Sequence, residues 1–138
     1  MSSHQLTLAS RLEELPRAND FLAGLADSGE VTQNELLTLQ LILEEVLVNV
    51  ICHGQPATPD EPIEIALRLS ADDLEMEITD GGAPFDPLTA PPPDVTAPLE
   101  DRPIGGLGIH LVKKLSDSVG YRRSENRNHL WLTRGREK

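Results

Sequence analysis

The sequence predicts a single α/β domain, a two-layer sandwich in which a mostly antiparallel sheet is covered on one face by about three helices. Helical hydrophobic patterns dominate the first 54 residues, and alternating apolar runs typical of strands follow them. One more helical stretch precedes two final strand-like runs. A length of 138 residues is that of one ordinary domain, so we expect residues 1–138 to share one core and one site.

The elements of the first half follow from hydrophobic spacing and from helix start and stop signals. Alternation over residues 5–9 predicts a short strand, and the next pattern predicts a helix from about 13 to 26. Thr32 and Glu35 have the spacing of a capping box, in which each residue bonds the backbone of the other. They predict the start of a second helix, which Gly54 is placed to end.

The second half is predicted to supply most of the sheet. Alternating runs over 63–69 and 74–78, joined by a turn, indicate an antiparallel hairpin with one face on a core. A helix from about 107 to 116 and strands near 118–123 and 128–133 complete the pattern. Such a sheet carries its polar side chains on the face away from the helices.

A long proline-rich segment separates the hairpin from the last helix. Residues 82–105 contain seven prolines, which would interrupt any helix or central strand, so the segment is predicted to be a loop. Loops of this length in compact domains are usually functional or disordered.

Bulk properties disfavour several classes of function. The formal net charge of -11 repels phosphate backbones and anionic lipids, which argues against direct nucleic-acid or membrane binding. Cys52 is the only cysteine, and its apolar surroundings indicate a small core residue rather than a nucleophile. Without a membrane-spanning stretch or a leader segment, we expect a soluble cytoplasmic protein.

Polar residues interrupt the second helix, which is apolar almost all round and is therefore predicted to be buried on most sides. Glu45 and Asn49 are four residues apart and share a face, and His53 continues their stripe one turn on. A buried carboxylate must be paired, hydrated or next to a cavity. The alternative is that this stripe lies at a helix edge in water, as we expect for Glu44.

Asp80 interrupts the end of the hairpin. It has the same parity as Leu74, Met76 and Ile78, so strand alternation aims its carboxylate into the core layer. Gly82 follows closely and permits close approach of a ligand to the backbone. The alternative is an ordinary turn, in which Asp-Gly pairs are common.

A glycine cluster opens the last helix. Gly105, Gly106 and Gly108 put free amide groups at a helix start with no β-carbons in the way, which is a geometry suited to phosphate. The alternative is a simple loop hinge.

Taken together, these segments resemble three boxes of the GHKL ATP-binding superfamily, which includes gyrase, histidine kinases and mismatch-repair ATPases. The sequences of these segments are most similar to those of the anti-sigma regulatory factor serine kinases, and the resemblance covers essentially the whole chain. The segments are Glu45-Val46-Leu47-Val48-Asn49 with Cys52-His53-Gly54, Asp80-Gly81-Gly82-Ala83-Pro84-Phe85-Asp86-Pro87, Gly105-Gly106-Leu107-Gly108-Ile109, and the closing strand Asn126-Arg127-Asn128-His129-Leu130.

The resemblance implies a role for each matching residue and the Bergerat type of ATPase fold. Asn49 would help hold Mg²⁺, Asp80 would accept a hydrogen bond from the adenine amino group, and Glu45 would take the proton from an attacking hydroxyl. Residues 88–104 would form a lid. The remaining residues implied to bind ATP are His53, Gly82, Pro84, Phe85, Gly105, Gly106, Leu107 and Gly108.

The resemblance also implies a function, with a rival. A protein-serine kinase of this type would use ATP to phosphorylate a STAS-domain anti-anti-sigma partner and would bind either that partner or a sigma factor. The resemblance also implies a homodimer. The rival is a nucleotide-dependent binding module that sequesters a regulator without kinase turnover. An acidic domain without nucleotide affinity is a third alternative. We do not expect a self-contained histidine kinase, because no phosphoacceptor-histidine helix hairpin precedes the domain.

Overall fold

A computed structural model describes residues 1–53, 61–89 and 106–136. Three helices are present in this part of the chain, together with short 3₁₀ turns at Leu12–Glu14 and Pro87–Thr89. The helices are α1 (Leu15–Asp27), α2 (Gln33–His53) and α3 (Gly106–Leu115). The strands are β1 (Ser2–Ala9), β2 (Pro62–Leu69), β3 (Asp73–Asp80), β4 (Ser118–Ser124) and β5 (Arg127–Gly135).

The five strands form one sheet in the order β1-β2-β3-β5-β4, and every neighbouring pair is antiparallel. A tight turn joins β2 to β3, where the Ser70 amide donates to the Asp73 carbonyl oxygen at 3.0 Å. The predicted two-layer fold with an antiparallel sheet is therefore confirmed. β1 is longer than predicted, because its pairing with β2 starts at Ser2.

The core lies between one face of the sheet and the helices. Its side chains are almost entirely aliphatic, as the aromatic content of 3% requires. Alternate residues of the central strands point into it, including Ile65 on β2 and Ile78 on β3, each 1% exposed. Because side chains alternate along a strand, these inward residues also determine which side chains at the ends of β3 and β5 point toward the helices.

The predicted capping box starts α2. The Glu35 amide donates to Thr32 Oγ1 at 3.1 Å, and the Thr32 amide donates to Glu35 Oε1 at 2.9 Å. Two backbone donors that the helix cannot satisfy internally are thus bonded. The helix runs to His53, and the predicted stop residue, Gly54, lies outside the described residues.

The expectation that α2 is buried on most sides was wrong for one stripe. Leu37 and Leu41 are 64% and 37% exposed, and Cys52 is exposed as well, not in the core. α2 contacts both α1 and α3, and its inward side chains share one core with those of the sheet, which leaves its outward stripe in solvent. Hydrophobic periodicity could not reveal this, because apolar residues occupy the outward stripe too.

The outer face of the sheet is polar, as predicted. It carries ion pairs such as Arg127 to Glu64 at 3.4 Å and Arg122 to Glu77 at 3.9 Å. Trp131 is a large apolar side chain on this face, and its ring covers Gly120 on β4, where a β-carbon would collide with it. A shallow cavity of about 280 Å³ borders Trp131 on this face, opposite the helices.

In the part of the chain that the structure describes, no helix is long and apolar enough to cross a membrane. The predicted loop contains one short ordered turn, at Pro87–Thr89. The rest of the predicted lid, residues 90–104, lies outside the described residues.

Candidate functional site

Asp80 lies at the end of β3 on the inner face of the sheet, opposite Ile63 of β2. It is only 7% exposed, so the inward direction predicted from its parity is confirmed. Its Oδ1 accepts hydrogen bonds from the Gly82 amide at 2.9 Å and from Asn128 Nδ2 at 3.1 Å. The bond to Gly82 is that of an Asx turn, so the residue both shapes the turn and is buried.

Asn128 is a central residue of this site, although no role was predicted for it from the sequence. It lies on β5 with the parity of Leu130 and Leu132, and it is 4% exposed. Its side chain bonds Asp80, the Phe85 amide at 3.2 Å, the Ala83 carbonyl oxygen at 2.9 Å and the Tyr121 hydroxyl at 2.5 Å. Its inward parity was the available signal.

Basic side chains hold the loop after β3 by its carbonyl oxygens. Arg123 Nη1 donates to the Gly82 oxygen at 2.7 Å, and Lys113 Nζ donates to the Leu88 oxygen at 2.6 Å. Phe85 is half-buried, whereas Pro84 is exposed. The loop is therefore fastened to β4 and to α3, which brings the start of the predicted lid next to the helix with the glycine cluster.

The polar stripe of α2 combines a buried amide with a half-buried carboxylate. Asn49 is 4% exposed, and its Nδ2 donates to the Glu45 carbonyl oxygen at 2.8 Å. Burial raises the pKa of the Glu45 carboxyl, and the neighbouring charge of Glu44, which is exposed as expected, raises it further. The alternative of a stripe at a helix edge in water is wrong for Asn49.

Gly106 and Gly108 lie in the first turn of α3, where the amide groups have no partner within the helix. The helix therefore begins at the predicted glycine cluster. Gly105 lies outside the described residues, as do the side chains of His53 and Leu107. Lys113 and Lys114 occupy the last turn, where cations suit the helix dipole.

The structure thus joins Asp80, Gly82 and Phe85 into one hydrogen-bonded cluster around Asn128. Glu45 and Asn49 form a second polar group on α2, which contacts α3. Within the described ranges, no group of three or more His, Cys, Asp and Glu side chains could hold a metal ion. A divalent ion here would take most of its ligands from water and from a bound ligand.

Comparison with known proteins identifies the family. Residues 8–134 match the histidine kinase-like ATPase domain. The serine/threonine-protein kinase BtrW of Bordetella bronchiseptica is 35% identical over 98 residues, which are 70% of this chain and 68% of that protein. The serine-protein kinase RsbW of Listeria monocytogenes is 28% identical over 118 residues, 83% of this chain and 75% of that protein.

A solved structure shares the fold. The RsbU and RsbW domains of Rv1364c from Mycobacterium tuberculosis superpose with a TM-score of 0.69 at 13% sequence identity. The match covers 99% of this chain and 34% of that one, so the chain corresponds to about a third of the larger protein. The chain therefore belongs to the histidine kinase-like ATPase domain family and is related, within it, to the RsbW and BtrW serine-protein kinases.

Proposed function

We propose that this chain binds ATP with Mg²⁺ and transfers the terminal phosphate to a serine of a partner protein. The observation that carries the proposal is the environment of Asp80 in a member of an ATPase family. Its carboxylate is buried, and its Oδ1 accepts hydrogen bonds from two groups of the protein. Oδ2 accepts no hydrogen bond from the described residues. That oxygen is suited to accept from the amino group of adenine.

The residues around Asp80 serve the base, and the glycine cluster serves the phosphates. Gly82 is buried beside the carboxylate and lets the base lie against the backbone, with Pro84 and Phe85 bordering it. The amides of Gly105, Gly106, Leu107 and Gly108 bind the triphosphate at the start of α3, which offsets the repulsion expected from a chain of net charge -11. We propose that His53 and a lid of residues 88–104 also contact the bound nucleotide.

Asn49 is the protein ligand proposed for Mg²⁺. An amide oxygen is a hard ligand that suits this ion, and the hydrogen bond from Nδ2 to Glu45 fixes the orientation of the amide. When bound, the ion neutralises charge on the phosphates. One protein ligand suffices, because Mg²⁺ keeps several waters and binds phosphate oxygens.

Glu45 is the proposed general base. The serine oxygen attacks the terminal phosphorus, the bond from that phosphorus to the bridging oxygen breaks, and ADP leaves with its electron pair. The hydroxyl proton passes to the Glu45 carboxylate. Burial and Glu44 raise the pKa of that carboxyl, which makes it a stronger base than an ordinary glutamate.

The proposed partner is a STAS-domain anti-anti-sigma protein, and phosphorylation would control whether the chain holds a sigma factor instead. Support comes from the relationship to RsbW and BtrW, which are named as protein kinases. We also propose that the chain acts as a homodimer in the cytoplasm, without contacting nucleic acid or membrane directly.

The test is phosphate transfer by Glu45→Ala. We expect the variant to keep ATP affinity and to lose partner phosphorylation by about 10²- to 10⁴-fold, as for loss of a general base. Mass spectrometry of the partner measures transfer and calorimetry measures binding. Glu44→Ala is the matched control, since this exposed neighbour should keep transfer while the acidic limb of the pH-rate profile moves to lower pH.

The results of this test decide whether Glu45 is the general base and whether the chain is a kinase or a sequestering module. Undiminished transfer by Glu45→Ala removes Glu45 from the mechanism. ATP binding without any transfer by the unmodified chain supports the sequestering module and overturns the kinase.

A further inference from the structure

We propose that Tyr121 and Asn128 form a relay that orients the Asp80 carboxylate and so determines which base the site accepts. Both are positioning residues, because they act through Asp80. The inference rests on the proposed binding of adenine at Asp80. It concerns the choice between a base that presents an amino group there and one that presents a carbonyl oxygen.

The orientation of the Asn128 amide is fixed by its neighbours. A primary amide has two donor hydrogens and an oxygen with two lone pairs, and all four are used. The Phe85 amide can only donate, so it must face Oδ1, and the Ala83 carbonyl oxygen can only accept, so it must face Nδ2. Rotation of the amide by half a turn would oppose like groups at both contacts.

The fixed amide in turn fixes Asp80. Because Nδ2 faces Asp80, Oδ1 accepts from it at 3.1 Å and from the Gly82 amide at 2.9 Å. Two donors on one oxygen define the plane of the carboxylate and leave Oδ2 for a ligand. An acceptor in this position attracts an exocyclic amino group and repels a carbonyl oxygen.

Tyr121 completes the relay from β4. Its ring is half-buried on the inner face opposite Leu130, and its hydroxyl donates to Asn128 Oδ1 at 2.5 Å. Among the described contacts, this hydroxyl serves no other purpose. Removing the hydroxyl alone keeps the ring in the core and loosens only the amide.

The test compares affinity for ATP with affinity for inosine triphosphate, which has a carbonyl oxygen in place of the amino group. In the presence of Mg²⁺, calorimetry on the full chain gives both constants and their ratio. We expect the preference for ATP to fall about tenfold or more in Asn128→Ala and about threefold in Tyr121→Phe, as for hydrogen bonds of ordinary strength. A purely structural role would weaken both nucleotides equally and leave the ratio unchanged.

Ser118→Ala is the matched control. It removes another hydrogen bond between β4 and β5, the one between the hydroxyls of Ser118 and Thr133 at 2.6 Å, which lies on the outer face and away from Asp80. We expect the ratio in this variant to equal that of the unmodified chain. If Asn128→Ala does not fold, Tyr121→Phe decides.

The two possible failures are distinguishable. A ratio unchanged in Asn128→Ala and Tyr121→Phe, with ATP preference lost in Asp80→Asn, overturns the relay and leaves the proposed function standing. A chain that binds neither nucleotide, or whose ratio is the same in Asp80→Asn, overturns both.

Discussion

Two buried polar clusters lie at opposite ends of β3, and they differ in whether the protein uses all of their hydrogen-bonding groups. The Arg136 cluster consists of Glu35, Arg136 and the backbone oxygens of Glu30 and Ser70. The Asp80 cluster consists of Asp80, Asn128 and Tyr121 with the loop backbone from Gly82 to Phe85.

The Arg136 cluster is closed. Glu35 Oε2 accepts from Arg136 Nε at 3.0 Å, and Oε1 accepts from Arg136 Nη2 at 3.0 Å and from the Thr32 amide at 2.9 Å. The guanidinium also donates to the oxygens of Ser70 and Glu30 at 2.9 and 2.7 Å. The cluster ties the start of α2 to the end of β5 and to the turn between β2 and β3.

The Asp80 cluster is open at one atom, Oδ2, within the described part of the chain. A closed cluster of this kind contributes to stability or specificity of the fold, whereas an open one is available to a ligand. The comparison therefore predicts that changes in the first cluster affect unfolding and changes in the second affect nucleotide affinity.

The largest expected effect on stability is that of Arg136→Met. It leaves the Glu35 carboxylate, 5% exposed, without its opposite charge, and such losses lower the free energy of unfolding by about 3–5 kcal/mol. Arg134→Met is the matched control, since Arg134 donates to a neutral group, the Leu115 carbonyl oxygen. Loss of this hydrogen bond should lower the free energy of unfolding by about 1 kcal/mol. Chemical denaturation measures the free energy of unfolding of both variants. Equal decreases would show that the Arg136 cluster contributes no more to stability than a single hydrogen bond.

The difference in unfolding free energy between the unmodified chain and Arg136→Met should depend on pH, in a direction set by the pKa of Glu35. Burial acts to raise the pKa of the Glu35 carboxyl, but the hydrogen bonds and charge of Arg136 and the bonds from Thr32 outweigh it and lower the pKa below 4.5. Because the folded-state pKa is lowered, the stabilisation is present above the unfolded value and is lost as pH falls through the folded value.

The gap in unfolding free energy between the unmodified chain and Arg136→Met should therefore narrow as pH falls below about 4.5. Denaturation at neutral and acidic pH checks this. A gap that stays constant or widens would show that the pair does not act through the charge of Glu35.

The smallest expected effect is that of Thr32→Ala. The change removes one bond of the capping box, from the Glu35 amide to Thr32 Oγ1, and should lower the free energy of unfolding by about 1 kcal/mol. Nucleotide affinity should not change, because the box lies at the far end of α2 from Asn49. A loss of affinity would show that the two ends of the helix are coupled.

Local patterns made much of the fold and part of the site predictable. The capping box depends on residues three apart, and the burial of Asp80 follows from alternation along one strand. The partners of those residues were not predictable in this way. Asn128 lies 48 residues from Asp80, and the pairing of β3 with β5 brings the two together. Arg136 lies 101 residues from Glu35, and they meet because the chain after β5 lies against the start of α2.

Exposure on α2 was also beyond the sequence pattern. Leu37, Leu41 and Cys52 have the character of core residues, yet they lie on the stripe that α1 and α3 leave uncovered. Which side of an apolar helix faces solvent depends on its neighbours, and these are set by the topology of the whole domain.

The central claim is tested most directly by calorimetric titration of the unmodified chain and Asp80→Asn with ATP and Mg²⁺. We expect saturable binding of one ATP per chain, weakened about 10- to 100-fold in Asp80→Asn. The Asn oxygen would accept from Gly82 and Asn128 as Oδ1 does, so its amide NH2 group would face the amino group of adenine. The absence of binding by the unmodified chain, or equal affinity in the variant, would contradict the central claim.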